Sequence, residues 1–270
     1  MTTWKMYRIA FRLLSPLHVG WFKQGNVQRT RPYLTGKALW GALTARLARE
    51  KGNASYAAMG QQVNDALAFS YFYPSTAPHC VTLWPWEQPQ EFAWCCLNTY
   101  ASTALNYAKN SAEEGSLHET EYISPSTREG EPVYLLGFVF EKAGCSLGWR
   151  DALHRLQLGG ERTYGWGRVQ VHTEPVETNT FWPGWTVTLT GDRPQLSPYD
   201  ETVLYAHLRH SSAFSGLRGA VEPLVGRETQ QAGAHGEAIA FHGLAWSPGA
   251  HLAALQRPLR VADFGLWQLD

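Results

Sequence analysis

The sequence is poor in charge and has no long apolar run. Only 17% of its 270 residues are charged and the net charge is zero, whereas 44% are hydrophobic and 13% aromatic. No stretch approaches the roughly 18 apolar residues of a membrane-spanning helix, and the N-terminus lacks the apolar segment of a signal peptide. We therefore expect a cytoplasmic protein that does not contact membranes.

Cysteine is also scarce, and the usual patterns of metal and nucleophile sites are missing. The four cysteines form no C-x-x-C pair, which favours reduced thiols. His207 and His210 could share a helix face, but no third ligand stands at a recognisable spacing. There is no H-E-x-x-H motif and no serine nucleophile elbow. We expect neither a metal site nor a cofactor.

The net charge of zero conceals a gradient along the chain. Residues 1–52 contain ten Lys or Arg and a single acid, Glu50, whereas residues 53–148 and 149–270 carry net charges of −7 and −2. A basic block in a neutral chain indicates a site for a polyanion, although a solvated basic face is the simpler alternative. The 12 tryptophans favour an exposed surface for bases or for a protein partner.

Hydrophobic periodicity predicts that the chain opens with a strand, a basic loop and a helix. Apolar and basic residues alternate over Lys5–Leu14, and Pro and Gly interrupt Ser15–Tyr33. Thr35 is a good N-cap for a helix that runs to about Arg49. The strand should bury one face and expose the other, with Tyr7, Ile9, Phe11 and Leu13 inside and Arg8 and Arg12 outside.

Later segments extend this order. We predict a second helix at 55–72, a hairpin over Leu117–Phe140 with strands Thr120–Ile123 and Val133–Phe140, a short helix at Trp149–Leu156 and a strand at Arg168–His172. The fold class is then α+β, with a β-α-β-β-α-β core of ferredoxin-like (RRM-like) type and insertions over residues 1–174.

Residues 175–270 form a second, less regular accessory region in this interpretation. It begins in a polar linker with Pro175 and Pro183, and it could form a degenerate ferredoxin-like domain. We predict here a helix at Glu201–Ala213, a glycine-rich stretch at Ser215–Gly236, and strands near Ala238–Ala245 and Arg260–Leu269.

The glycine-rich segment Leu158–Val169 is the best candidate for a binding site. Glycines allow backbone N–H groups to approach a phosphate closely, while arginine and aromatic rings contact phosphates and bases. The alternative is a tight connection between helix and strand. The segment precedes a strand, so it does not fit a dinucleotide fingerprint. Its candidate residues are Gly159, Gly160, Arg162, Tyr164, Gly165, Trp166, Gly167 and Arg168.

A second candidate lies where Gly36 and Lys37 open the first helix, because free N–H groups at a helix start favour an anion. Arg29 and Arg31 precede it and Trp40 follows it, so all five join the candidate RNA contacts. Ala38 stands where a Walker A motif needs Ser or Thr, which argues against ATP. A plain capped helix is the alternative.

Three segments resemble the signature motifs of the RAMP superfamily of CRISPR effector proteins. They are Ser15–Gly20 (SPLHVG), Arg31–Leu43 (RPYLTGKALWGAL) and Leu158–Val169 (LGGERTYGWGRV). The resemblance implies a ferredoxin-like core, with the glycine-rich loop and the Gly36-Lys37 helix against guide RNA. It also implies a thumb-like hairpin, for which residues 117–140 are the candidate.

The resemblance further favours a subunit that holds RNA without cutting it. Target-cleaving type III backbone subunits carry an aspartate in the loop after the first strand, whereas Trp21–Arg31 contains no acid. We expect a subunit that caps the 5′ handle of the guide RNA (crRNA) in a type III antiviral complex and contacts other effector subunits. Target RNA is a further candidate partner.

Three alternatives stay open. The first is a metal-independent endoribonuclease that processes precursor guide RNA, with His18 as the leading acid or base, although a lone loop histidine is more often structural. The second is a type III backbone subunit that lines the guide–target duplex, which would contact target RNA directly. The third is an assembly protein whose aromatic residues contact only other proteins.

Overall fold

The described chain covers residues 2–52, 54–212, 214, 216–228, 238–253, 255 and 257–270 of a computed structural model. Its helices are α1 (Gly36–Glu50), α2 (Tyr56–Ala66), α3 (Pro89–Cys96) and α4 (Trp149–Leu153). Single 3-10 turns lie at Arg162–Tyr164 and Asp263–Gly265.

The strands of the first half are β1 (Trp4–Leu13), β2 (Gly20–Gln24), β3 (Val27–Thr30), β4 (Leu67–Phe69), β5 (Tyr73–Ser75), β6 (Leu97–Ser102), β7 (Leu105–Asn106), β8 (Ser111–Ala112), β9 (His118–Ile123) and β10 (Tyr134–Lys142). Those of the second half are β11 (Val169–Glu177), β12 (Trp185–Thr188), β13 (Gln195–Pro198), β14 (Thr202–Val203), β15 (Leu208–Arg209), β16 (Leu217–Arg218), β17 (Val221–Glu228), β18 (Ala238–Trp246), β19 (His251–Leu252), β20 (Leu259–Val261) and β21 (Trp267–Leu269).

A five-stranded sheet organises the first half of the chain. Its order is β11-β1-β10-β4, with β5 also paired to β10, and every pairing is antiparallel. With α1 and α4, its strands run β1-α1-β4-β5-β10-α4-β11 along the chain, which is one strand more than the predicted β-α-β-β-α-β order, since β4 and β5 both pair with β10. The α+β class is therefore confirmed, while the ferredoxin-like assignment stays an interpretation.

Strand β1 is more deeply buried than its alternating sequence predicted. The expected inward residues do join one apolar core, with Phe11 fully buried. The opposite face should have met solvent, but Trp4, Met6 and Ala10 pack into a second core. Only Arg8 and Arg12 keep some exposure on that face. The second core covers this face because residues from both halves of the chain contribute to it.

Helix α1 forms as predicted. The Thr35 hydroxyl caps it by accepting a hydrogen bond from the Ala38 N–H, and Leu39, Leu43 and Leu47 face the first core. The second predicted helix is shorter than the expected 55–72. It ends at Ala66, after which the apolar residues continue as β4, because they pair with β10.

Two predictions about loops and hairpins are wrong. The segment Ser15–Tyr33 is not a plain loop, since β2 and β3 pair within it. The strands predicted for Leu117–Phe140 exist, but they do not pair with each other. Strand β9 lies between β3 and β6 in a four-stranded sheet, whereas β10 lies between β1 and β4. The thumb-like role of residues 117–140 stays a prediction.

The second half of the chain is built around a seven-stranded sheet of order β12-β13-β20-β21-β15-β18-β17. The predicted helix Glu201–Ala213 is wrong: through Ser212 these residues form β14, β15 and connecting turns, and Ala213 lies outside the described residues. Consecutive residues at Leu204–Ala206 are all buried, which one face of a helix cannot provide.

The remaining predictions for this half are partly met. The strand near Ala238–Ala245 is confirmed as β18, and Arg260–Leu269 contains parts of two strands, β20 and β21, joined by a turn. The glycine-rich stretch Ser215–Gly236 lies partly outside the described residues, which there include only 216–228. The division at residue 174 falls inside β11 and stays a prediction.

No helix in the described part of the chain is long and apolar enough to span a membrane. All four cysteines are free.

Candidate nucleic-acid interface

The glycine-rich loop, residues Leu158–Val169, packs directly on the Ser15–Gly20 segment. The Gly160 N–H donates to the His18 carbonyl at 2.8 Å, and the Gly167 N–H donates to the Pro16 carbonyl at 2.7 Å. The Arg168 N–H donates to the Ser15 hydroxyl at 2.9 Å. Two segments that lie about 140 residues apart in the chain therefore form one unit.

Glycine is required at particular points of this contact. Gly159 and Gly167 have φ angles of +73° and +77°, which L-amino acids with a side chain rarely adopt. A Cβ atom on Gly159 would overlap the His18 carbonyl oxygen, and one on Gly167 would overlap the carbonyl oxygen of Leu158. The loop also closes on itself, since the Leu158 N–H donates to the Gly167 carbonyl at 2.8 Å.

The outer side of the loop presents charge and an aromatic ring to solvent. Arg162 and Arg168 are exposed, and Tyr164 is 80% exposed. Trp166 is half-buried, and its ring lies 5.1 Å from that of Tyr122 and 6.1 Å from that of Tyr100, centroid to centroid. The pair of tyrosines on the four-stranded sheet extends the aromatic surface, and the sequence analysis did not identify them.

The Gln157 side chain holds this part of the loop in shape. Its Nε2 donates to the carbonyl oxygens of Arg162 and Trp166, at 2.9 and 2.8 Å. The Arg162 and Tyr164 side chains are exposed on the loop that these two hydrogen bonds brace. An exposed arginine and an exposed aromatic ring on a rigid loop can bind a phosphate and stack on a base.

His18 lies beneath the loop and not on its surface. It is 7% exposed, and its Nδ1 lies 2.7 Å from the Glu121 carbonyl oxygen. A carbonyl oxygen can only accept, so Nδ1 carries the proton and donates. This geometry favours a structural role for His18, whose backbone and ring support the glycine-rich loop.

The residues around the start of α1 occupy different surroundings. Gly36 is buried, and a Cβ atom there would lie 2.5 Å from the Phe264 carbonyl oxygen. The Lys37 Nζ lies 3.4 Å from His242 Nε2 and 5.3 Å from the Phe264 ring centroid. Trp40 is half-buried against Phe264 and Tyr56. The second half of the chain therefore packs over this helix start, and the structure does not join it to the glycine-rich loop.

The two loop arginines are engaged by carboxylates. Arg29 pairs with Glu121 at 3.2 Å and keeps part of its side chain exposed. Arg31 is buried, and its Nη1 and Nη2 donate to the two carboxylate oxygens of Glu222 at 3.0 and 2.9 Å. Since the Arg31 guanidinium points into the protein, we exclude Arg31 from the proposed RNA contacts.

Glu222 is the centre of a largely buried polar network that sequence patterns did not indicate. Besides Arg31, its carboxylate oxygens accept from His207 Nε2 at 2.7 Å, from the Ser247 hydroxyl at 3.0 Å and from Trp21 Nε1 at 2.9 Å. With the His207 Nε2 donating, its Nδ1 accepts from the Tyr71 hydroxyl at 2.8 Å. We call this set the Glu222 network.

Two pKa values in the Glu222 network are lowered. Burial alone would raise the pKa of Glu222, but hydrogen bonds from His207 and Arg31 outweigh it and hold that pKa well below its ordinary 4.5. Burial lowers the pKa of His207 below its ordinary 6.5. The hydrogen bond to Glu222 raises this pKa, whereas the charge of Arg31 lowers it, and the net shift is downward. At neutral pH the network thus contains a carboxylate, a guanidinium and a neutral imidazole.

These shifts predict that acid destabilises the protein. Both pKa values are lower in the folded state, so the unfolded chain binds more protons, and this contribution to stability is lost as the pH falls. The loss begins as the pH falls below the ordinary 6.5 of His207 and continues below the ordinary 4.5 of Glu222. We expect the urea midpoint to fall accordingly, and the stability difference between wild type and Glu222→Gln to shrink as the pH falls from the ordinary 4.5 of Glu222 to about pH 3. A difference that is constant over this range would contradict the assignment.

Comparison with known proteins finds remote similarity to solved structures. No family model matches the chain, and no curated protein matches it. Among solved structures, the chain is similar to a chain of the type III-B Cmr-beta complex bound to cognate target RNA, with 11% identity and a TM-score of 0.40. It is also similar to a chain of Cmr-beta in the apo state, with 12% identity and a TM-score of 0.40. Each alignment covers 62% of this chain and 96% of the other. Likenesses this remote do not establish a family.

Proposed function

We propose that this protein is an RNA-binding subunit of a CRISPR effector ribonucleoprotein that acts in antiviral defence in the cytoplasm. It holds the backbone or the 5′ handle of the guide RNA and does not cleave it. Other effector subunits are its protein partners. The order of the motifs in Ser15–Gly20, Arg31–Leu43 and Leu158–Val169, which resembles the RAMP superfamily, supports this assignment.

The observation that carries the proposal is that two of these motifs are joined by hydrogen bonds into one surface. The Ser15–Gly20 segment holds the glycine-rich loop by backbone hydrogen bonds, and the loop presents Arg162, Tyr164 and Arg168 outward. Arginine binds phosphate oxygens in a two-pronged geometry, and stacking on aromatic rings accepts any base. Such a surface fits single-stranded RNA.

Holding is favoured over cutting by the position of His18. A general acid or base must reach the proton that it transfers, and the His18 ring is buried with one nitrogen committed to the Glu121 carbonyl.

The proposal predicts that Arg162→Ala/Arg168→Ala weakens binding of a fluorescent single-stranded RNA of about 20 nucleotides by at least about tenfold. The slope of log Kd against log salt should fall by about 1.4, since each lost phosphate contact on a single strand accounts for about 0.7. Fluorescence anisotropy at several salt concentrations measures both quantities.

The matched control is Arg209→Ala/Arg218→Ala, which removes the same charge from exposed arginines of the second half of the chain. Its affinity should stay within about twofold of wild type. Equal affinity and equal slope in wild type and Arg162→Ala/Arg168→Ala would show that the loop does not bind RNA.

A further inference from the structure

A cavity of about 340 Å³ lies between α1, the end of α4 and the glycine-rich loop. Four arginines line it: Arg46 and Arg49 from α1, Arg155 from the residues after α4, and Arg162 from the loop. We call it the arginine cavity. Its volume is at the small end of the range for ligand sites, about 300–1,000 Å³, so it admits a small anionic group.

Helix α1 has a distinct face toward this cavity. Ala42, Ala45, Arg46 and Arg49 recur at i, i+3, i+4 and i+7, which places them on one stripe of the helix. The two alanines are short and leave room, while the two arginines reach over it. The leucines of the same helix lie on a neighbouring face and pack into the first core, which Ala42 also contacts.

The arginines of the cavity carry more positive charge than the nearby carboxylates neutralise. Glu50 is shared by two of the arginines, since it pairs with Arg46 at 2.7 Å and with Arg155 at 3.2 Å. Across the described residues, neither Arg49 nor Arg162 has a carboxylate within ion-pair distance. Four guanidinium groups around one space repel each other, and a bound anion would offset that cost.

The cavity is continuous with the outer side of the glycine-rich loop because Arg162 belongs to both. Gln157 also lines the cavity, and its side chain donates a hydrogen bond of 2.9 Å to the Arg162 carbonyl. This bond holds the backbone of Arg162, from which the Arg162 side chain extends. Thr163 adds a hydroxyl to the lining. A strand of RNA that contacts Arg168 and Tyr164 could therefore continue over the cavity.

Phosphate is the anion that this set of side chains fits best. Arginine presents its N–H groups in a planar fork that matches two oxygens of a phosphate, and several forks can bind one group or adjacent groups. We propose that the arginine cavity is a second phosphate site, on the helical side of the protein, which binds backbone phosphates of the RNA held by the glycine-rich loop. This inference rests on the proposed function.

The test compares Arg49→Gln/Arg155→Gln with the control Arg209→Gln/Arg218→Gln in the full chain. Neither Arg49 nor Arg155 is part of the loop surface assigned above. A fluorescent single-stranded uridine 20-mer without a terminal phosphate serves as the probe. We expect the cavity variant to bind it at least about fivefold more weakly, with a salt slope lower by about 1.4, and the control to match wild type.

The same proteins are titrated with uridine monophosphate in a calorimeter. This titration distinguishes a cavity that binds a free phosphate group from one that binds a phosphate of an RNA backbone. Loss of 20-mer affinity with no measurable binding of the monophosphate supports a backbone site. Monophosphate binding by wild type that disappears in the cavity variant, with 20-mer affinity unchanged, would overturn the backbone assignment in favour of a small-molecule phosphate site.

Two further outcomes would also overturn it. One is unchanged 20-mer affinity and slope with no monophosphate binding. The other is an equal loss in the cavity variant and in the control, which would reflect net charge alone. If wild type binds no 20-mer, it is the proposed function that fails. Thermal unfolding of each variant confirms that any loss of binding occurs in folded protein.

Discussion

Replacement of Glu222 by glutamine is expected to lower the free energy of unfolding by roughly 3 kcal/mol, because it leaves the Arg31 charge buried without its partner. The side chains of Arg31 and Glu222 are only 11% and 16% exposed, so water replaces the carboxylate only in part. His207 and Ser247 also lose a charged acceptor. Urea unfolding followed by circular dichroism at neutral pH measures the change.

Glu177→Gln is the matched control for this prediction. Glu177 pairs with Lys5 at 3.0 Å, but both side chains are more than half exposed, and such surface pairs contribute about 0–1 kcal/mol. If the two variants lost the same small stability, the Glu222 network would not be a significant source of stability. The network joins β17 to the segment before α1, so its loss should also loosen the second half of the chain.

Replacement of Gly167 by alanine is expected to destabilise the protein by about 3 kcal/mol or more and to weaken RNA binding with it. Alanine at a φ of +77° is strained by about 1–3 kcal/mol, and its Cβ would overlap the backbone of Leu158. To relieve the overlap, the loop would lose the Gly167 hydrogen bonds to Pro16 and Leu158, each worth about 1 kcal/mol. Thermal unfolding and RNA anisotropy measure the two effects.

Gly165→Ala separates backbone strain from the overlap. Gly165 has a similar φ of +83° in the same loop, but a Cβ there would meet no atom within 4 Å. We expect a cost of only about 1–2 kcal/mol and nearly normal RNA affinity, since the contact with the Ser15–Gly20 segment is preserved. Equal destabilisation by the two substitutions would mean that close packing of the loop is not the reason for glycine at Gly167.

Features that depend on near neighbours in the chain could be predicted from the sequence. The cap at Thr35 and the leucine spacing of α1 act within a few residues, and the glycines of Leu158–Val169 indicate a loop wherever the segment is placed. The alternation in β1 predicted a strand, but not the second core that covers its other face. Alternation reports one buried face and cannot show that a distant segment will bury the other.

Features that depend on pairing between distant segments could not be predicted. Strands β9 and β10 have strand-like sequences and few residues between them, which favoured a hairpin, yet each has partners in a different sheet. Arg31 and Glu222 lie 191 residues apart, so no local pattern distinguishes this buried arginine from the basic residues around it. The arginine cavity likewise combines side chains from α1, from the residues after α4 and from the loop.

The sequence by itself determined the α+β class, helix α1 and the position of the glycine-rich loop, because propensity, capping and glycine geometry are local properties. The tertiary structure alone decided which arginines face solvent. It buried Arg31 against Glu222, covered the start of α1 and left Arg162 and Arg168 exposed on a loop fixed to Ser15–Gly20. The physical reason is that burial of a charge depends on partners brought together by folding, and not on the neighbours of that charge along the chain.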